Sequence, residues 1–162
     1  MTTLYIVIGQ PGSGKSTYIN SQLDKATVIS PDRVLQEKWD YQWTPVRASM
    51  AWATCYQALG RAIVAEAVAG CVGARLDHEY VWDAVCPAPR DRASILNTAK
   101  GAGWTVVAVY METPYEVCHE RNEARPRNRR VPERNMVDIS RRLTPPAEDE
   151  GWDDIICVKW EG

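Results

Sequence analysis

Residues 4–17 read LYIVIGQPGSGKST, an apolar run leading into a glycine-rich loop and then into residues that favour a helix. Gly9, Gly14, Lys15 and Ser16 satisfy G-x-x-x-x-G-K-[ST], with Pro11, Gly12 and Ser13 inside the loop and Thr17 just after it. This is the strongest constraint in the chain, because such a loop works only between a strand and a helix. Glycines allow left-handed backbone angles, so that several N–H groups converge on one anion. The following helix directs its positive end at the same point. Lys15 is placed to reach the β- and γ-phosphates, and the Ser16 hydroxyl to ligate Mg²⁺. The expected ligand is ATP or another nucleoside triphosphate with Mg²⁺.

The rest of the composition narrows the setting. The 162 residues suit a single domain spanning 1–162, with one sheet covered by helices. A net charge of −2 excludes a global field that draws the protein to nucleic acid, so any such attraction must be local. The cysteines Cys55, Cys71, Cys86, Cys118 and Cys157 are odd in number and have no C-x-x-C spacing. That pattern fits neither a disulfide framework nor a zinc site, and it suits a reducing cytoplasm. The first apolar stretch lacks a preceding basic region and is too short for a signal peptide, and no run approaches a membrane span. No membrane association and no obligate protein partner are expected.

Five apolar runs read as strands: Leu4–Ile8, Thr27–Ile29, Tyr80–Trp82, Thr105–Tyr110 and Ile155–Val158. Their near-continuous apolar character predicts a mostly parallel sheet buried on both faces. Helical patterns fall between them, over Lys15–Leu23, Pro45–Ala69, Pro89–Lys100, Pro114–Ala124 and Pro132–Leu143. Thr44 and Thr113 stand as caps before Pro45 and Pro114, and Gly70 and Gly101 as stops. The alternation predicts an α/β fold with ligands at the carboxyl ends of the strands. The stretch TPPAEDEGWDD reads as a solvated connection before the last strand.

Two carboxylates close successive strands. Asp32 follows the second strand, as either a general base for an attacking hydroxyl or a helix N-cap. Asp83 ends the third, as either a Mg²⁺ ligand, directly or through water, or a cap. An arginine-rich run follows, with Arg121, Arg125, Arg127, Arg129, Arg130 and Arg134 against Glu123 and Glu133. Arg121 and Arg125 are four apart on one helix face and can reach one ligand. Pro126 breaks that helix, so residues 121–134 read either as a mobile lid whose guanidinium groups stabilise a transferring phosphoryl group or as a solvated basic loop or nucleic-acid patch without catalytic duty. Arg127, Arg129 and Arg130 read as solvated. Trp39, Tyr41 and Trp43 follow Asp32, either as a stacking surface for an acceptor base or, for Trp39, as core packing.

With these pieces in order, the chain from about Thr3 to Leu143 resembles the bacteriophage-type polynucleotide 5′-hydroxyl kinases. The resemblance is carried by GQPGSGKST, the S-x-D after the second strand, the aspartate of YVWD, PRDR, and ERNEAR followed by Val-Pro. It implies the fold of small P-loop kinases with an Arg-rich lid. It also implies transfer of the ATP γ-phosphate to the 5′-hydroxyl end of DNA or RNA, as in end-healing. Lys15 and Ser16 would hold ATP·Mg²⁺, Asp32 would activate the hydroxyl, Asp83 would organise the metal or the acceptor, and Arg125 with Arg121 would touch the transferring phosphate. Two positions depart from the family pattern. Leu35 stands where an arginine usually binds the acceptor's phosphate, with Arg33 expected to point elsewhere and Arg47 able to substitute through space. Ala84 and Val85 follow the third-strand aspartate, where small polar residues are usual. The alternatives are a kinase for a nucleoside, sugar or antibiotic hydroxyl, and a P-loop ATPase or binding module without transfer chemistry.

Overall fold

The protein was analysed as a computed structural model, which describes residues 1–74 and 77–162. The predicted strands appear as β1 (Thr3–Ile8), β2 (Thr27–Ile29), β3 (Glu79–Asp83), β4 (Thr105–Glu112) and β5 (Asp154–Lys159). They form one sheet in the order β2-β3-β1-β4-β5. Every pairing is parallel, with Leu4 opposite Tyr80 on one side and Val106 on the other. The phosphate-loop strand is therefore central, with β3 and β2 to one side and β4 and β5 to the other.

Helices α1 (Lys15–Gln22), α2 (Pro31–Trp39), α3 (Pro45–Cys71), α4 (Pro89–Gly101), α5 (Tyr115–Glu123) and α6 (Glu133–Arg142) connect the strands. Alternate residues of β1 feed two cores. Leu4, Ile6 and Ile8 pack with Cys55 and Leu59 of α3 and with Ile95, Leu96 and Ala99 of α4. Val7 packs with Ile19, Leu23 and Met111 on the opposite face. Each such aliphatic side chain, taken fully out of water, contributes about 1.5–3 kcal/mol. Tyr56 of α3 lies 5.3 Å from the Trp82 ring, centroid to centroid, which seats the long helix against β3. Among the described residues, no helix is long and apolar enough to cross a membrane.

Several boundaries differ from the sequence reading. Thr44 caps α3 as expected, its hydroxyl accepting from the Arg47 N–H at 3.1 Å. Thr113 does not cap α5; the helix starts after Pro114, and the Thr113 hydroxyl is spent on the phosphate loop instead. Helices α3 and α4 run through Gly70 and Gly101, and the left-handed residues that turn the chain are Gly73 and Gly103.

The acidic connection is also more than solvated. Arg92 of α4 is fully buried and forms a two-pronged ion pair with Glu150, both N···O distances being 2.7 Å. Its remaining N–H groups donate to the carbonyls of Cys86, Pro87, Thr144 and Pro145, and Trp152 lies 6.0 Å below the guanidinium. One buried cation thus ties the loop after β3 to the segment after α6.

Candidate active site

The phosphate loop takes its shape from close approach. Gly12 and Gly14 have φ of 84° and 94°, where an L side chain is strained. A Cβ at Gly12 would sit 2.6 Å from the Cys118 carbonyl oxygen of α5. The same helix region fastens the loop twice more. The Thr113 hydroxyl donates to the Ser13 carbonyl at 2.8 Å, and Arg121 Nη1 donates to the Gly12 carbonyl at 3.1 Å. Gly12→Ala therefore combines a backbone clash with strain of roughly 1–3 kcal/mol. The expected result is a melting temperature lower by roughly 2–12 °C, together with loss of ADP binding, read by thermal unfolding and equilibrium dialysis.

Lys15 Nζ donates to the carbonyls of Gly9 and Gln10, each at 3.0 Å. Burial holds its pKa below the usual lysine value, while Asp83 and then Asp32 pull it back up and Arg125 adds to the lowering. Two carboxylates and a guanidinium are thus among the charges that act on the ammonium. Burial pushes the Asp83 carboxyl up; Lys15 opposes that shift, and Asp32 adds to it. Arg33 adds a smaller pull on Asp83 in the same direction as Lys15. The Ser30 hydroxyl faces Asp83 and favours its charged form without meeting full hydrogen-bond geometry.

Neither carboxylate is a cap. Ser30 is the N-cap residue of α2 and Pro31 opens the helix, so Asp32 lies exposed in the first turn, where its charge suits the helix dipole. Asp83 ends β3, and the next helix has Ala88 as its N-cap residue. The two side chains stand at the carboxyl ends of neighbouring parallel strands, on the β3–β2 side of Lys15.

On the other side, a cavity of about 600 Å³ opens along the loop. Gly12, Ser13, Gly14, Lys15, Ser16 and Thr17 form its floor, and Arg121 and Arg125 enter from α5 and its end. The hydroxyl of Ser16 and the carboxylate of Asp83 are hard oxygen donors of the kind Mg²⁺ accepts. Among the described residues, no three His, Cys, Asp or Glu side chains converge as a metal site. That donor set fits an ion that shares its coordination with substrate phosphates rather than one caged by protein.

The arginine-rich segment is fastened at its base. The Asn122 side chain is fully buried and brackets Val131, donating to its carbonyl at 2.8 Å and accepting from its N–H at 2.9 Å. Arg130 bonds back to the Glu123 carboxylate and to the carbonyls of Glu123 and Arg125. Neither role was foreseen, although the RN…VP spacing carried the signal for the first. Arg129 is not merely solvated either, since its guanidinium lies 4.8 Å from the Tyr41 ring centroid. Arg47 is engaged at the turn between α2 and α3, donating to the Gln42 carbonyl and side chain and lying 5.9 Å from the Trp39 ring. Leu35 is buried, and Trp43 is exposed.

The fold has clear relatives among solved structures. A protein from Chloroflexus aurantiacus is 16% identical, with a TM-score of 0.69 over 98% of this chain and 85% of its own. A sugar kinase from Janibacter is 17% identical, with a TM-score of 0.63 over 98% and 86% of the two chains. A gluconokinase from Sinorhizobium meliloti is 16% identical, with a TM-score of 0.53 over 99% and 83%. No curated protein matches the sequence. Residues 4–146, from the phosphate-loop strand to just beyond α6, match the AAA domain family AAA_33, and the chain belongs to that family.

Proposed function

We propose that the protein is a kinase, transferring the γ-phosphoryl group of ATP or another nucleoside triphosphate to an alcohol. One observation carries this reading: Asp32 and Asp83 close the strands on one side of the phosphate-loop strand, while Arg121 and Arg125 line the cavity on the other. A binding module needs only the loop and lysine. A carboxylate pair opposite the arginines supplies what transfer requires.

Asp32 accepts the proton of the acceptor hydroxyl as its oxygen attacks the γ-phosphorus, and the bond to the β-bridging oxygen breaks. Lys15 and the two arginines hold the charge spread over the phosphoryl oxygens. Ser16 and Asp83 would hold Mg²⁺, which would supply charge neutralisation at the β- and γ-phosphates. Arg121 and Arg125 act as a lid over the donor.

The likeness to a sugar kinase and a gluconokinase supports a small polyhydroxy acceptor. A second reading, the 5′-hydroxyl end of a nucleic acid, is favoured by a specific feature. Trp39 and Tyr41 stand at the far end of the helix that Asp32 opens, with Lys38, Arg47 and Arg129 against their rings, which suits a stacked base and its phosphate. The test is transfer from labelled ATP to a panel of sugars, nucleosides and 5′-hydroxyl oligonucleotides at two salt concentrations. Labelled sugar or nucleoside, insensitive to salt, supports the first reading. Labelled oligonucleotide, weakening steeply with salt, supports the second. ATP hydrolysis unchanged by every acceptor overturns both.

A further inference from the structure

We propose that Trp160 is the platform on which the base of the donor nucleotide stacks, so that the site selects purine nucleotides by their flat faces. This rests on the nucleotide-binding reading given above. Sheet order sets the direction of the ligand. The γ-phosphate must face Asp32 and Asp83, on the β3–β2 side of β1, so the nucleoside must run the other way, over β4 and β5. The cavity does the same: from the phosphate loop it extends past Arg121 and Arg125 to Tyr18, Val158 and Trp160. Its volume of about 600 Å³ lies within the range of ligand pockets.

Trp160 directly follows β5 and is 43% exposed. A single exposed aromatic is ordinary, but this one stands at the far rim of a phosphate cavity. Among the described residues it has no ring or cation partner, unlike Trp39, Trp52, Trp82, Trp104 and Trp152. Its face is thus free to receive a flat ring, and indole offers a large area at little conformational cost. Stacking does not read hydrogen-bonding edges, so adenine and guanine should serve alike, and pyrimidines, with less ring area, should bind less tightly. The residue lies beyond the 4–146 span that the family model matches.

The test uses Trp160→Ala and Trp160→Phe, with MgADP, MgGDP and inorganic tripolyphosphate as ligands. The alanine variant should bind both nucleotides about 5- to 150-fold more weakly and tripolyphosphate as well as the parent protein does. The phenylalanine variant should recover most of the nucleotide affinity. ADP should quench tryptophan emission in the parent and far less in the phenylalanine variant, although that variant still binds. Unchanged ADP affinity in the alanine variant, or an equal loss of ADP and tripolyphosphate, overturns the proposal alone. A parent protein that binds neither ligand overturns the nucleotide reading and this proposal with it.

Discussion

Asp32→Asn should leave MgADP affinity within the parent range and slow phosphoryl transfer by about 10²–10⁴-fold, the contribution expected of a positioned general base. The amide keeps the size of the carboxylate and removes only its ability to take a proton. The fold should tolerate the change, because the side chain is exposed and makes no cap bond. Loss of a favourable charge in the first turn of α2 costs only about 0.3–1 kcal/mol. Single-turnover kinetics with saturating nucleotide separate the two outcomes. A variant that transfers at the parent rate removes Asp32 from the chemistry and leaves only a helix-terminal charge.

The second large effect lies away from the reacting groups. Arg92→Leu should destabilise the protein by about 3–5 kcal/mol, because the Glu150 carboxylate and four carbonyls lose their donor. In a chain of this size that lowers the melting temperature by roughly 6–20 °C. Replacing both partners with apolar residues should recover much of the loss, since no charge is then left unpaired. The pH dependence has a definite sign. Burial raises the Glu150 pKa, but the Arg92 hydrogen bonds outweigh it and hold the carboxyl below its usual range. Its stabilisation is therefore present above the unfolded-state value and is lost as pH falls through the lower folded one. The gap between parent and variant should narrow in acid. Denaturant unfolding at neutral pH and near pH 4 measures it, and a gap that is equal or wider in acid removes the pair as its source.

How much of this was legible in the sequence followed the range of the interactions. The phosphate loop could be read because its geometry is set within eight consecutive residues, Gly9 to Ser16. The strands could be read because all five lie in a parallel sheet with near-continuous apolar runs, and Asp32 and Asp83 could be placed because strand ends mark the binding edge. The ion pair between Arg92 and Glu150 joins residues 58 apart, so TPPAEDEGWDD looked like solvated loop. The same holds for Thr113, whose position before a proline suggested a cap. Its hydroxyl is instead used 100 residues away, on Ser13. Asn122 sat inside a recognised signature, but only the folded chain reveals that its amide closes the loop onto Val131.

The close seating of Gly12 against the Cys118 carbonyl makes the phosphate loop and α5 one mechanical unit. With Thr113 and Arg121 holding the two carbonyls beside it, the phosphate loop shifts only together with α5. A change that displaces Cys118 should therefore reach the nucleotide loop through its backbone.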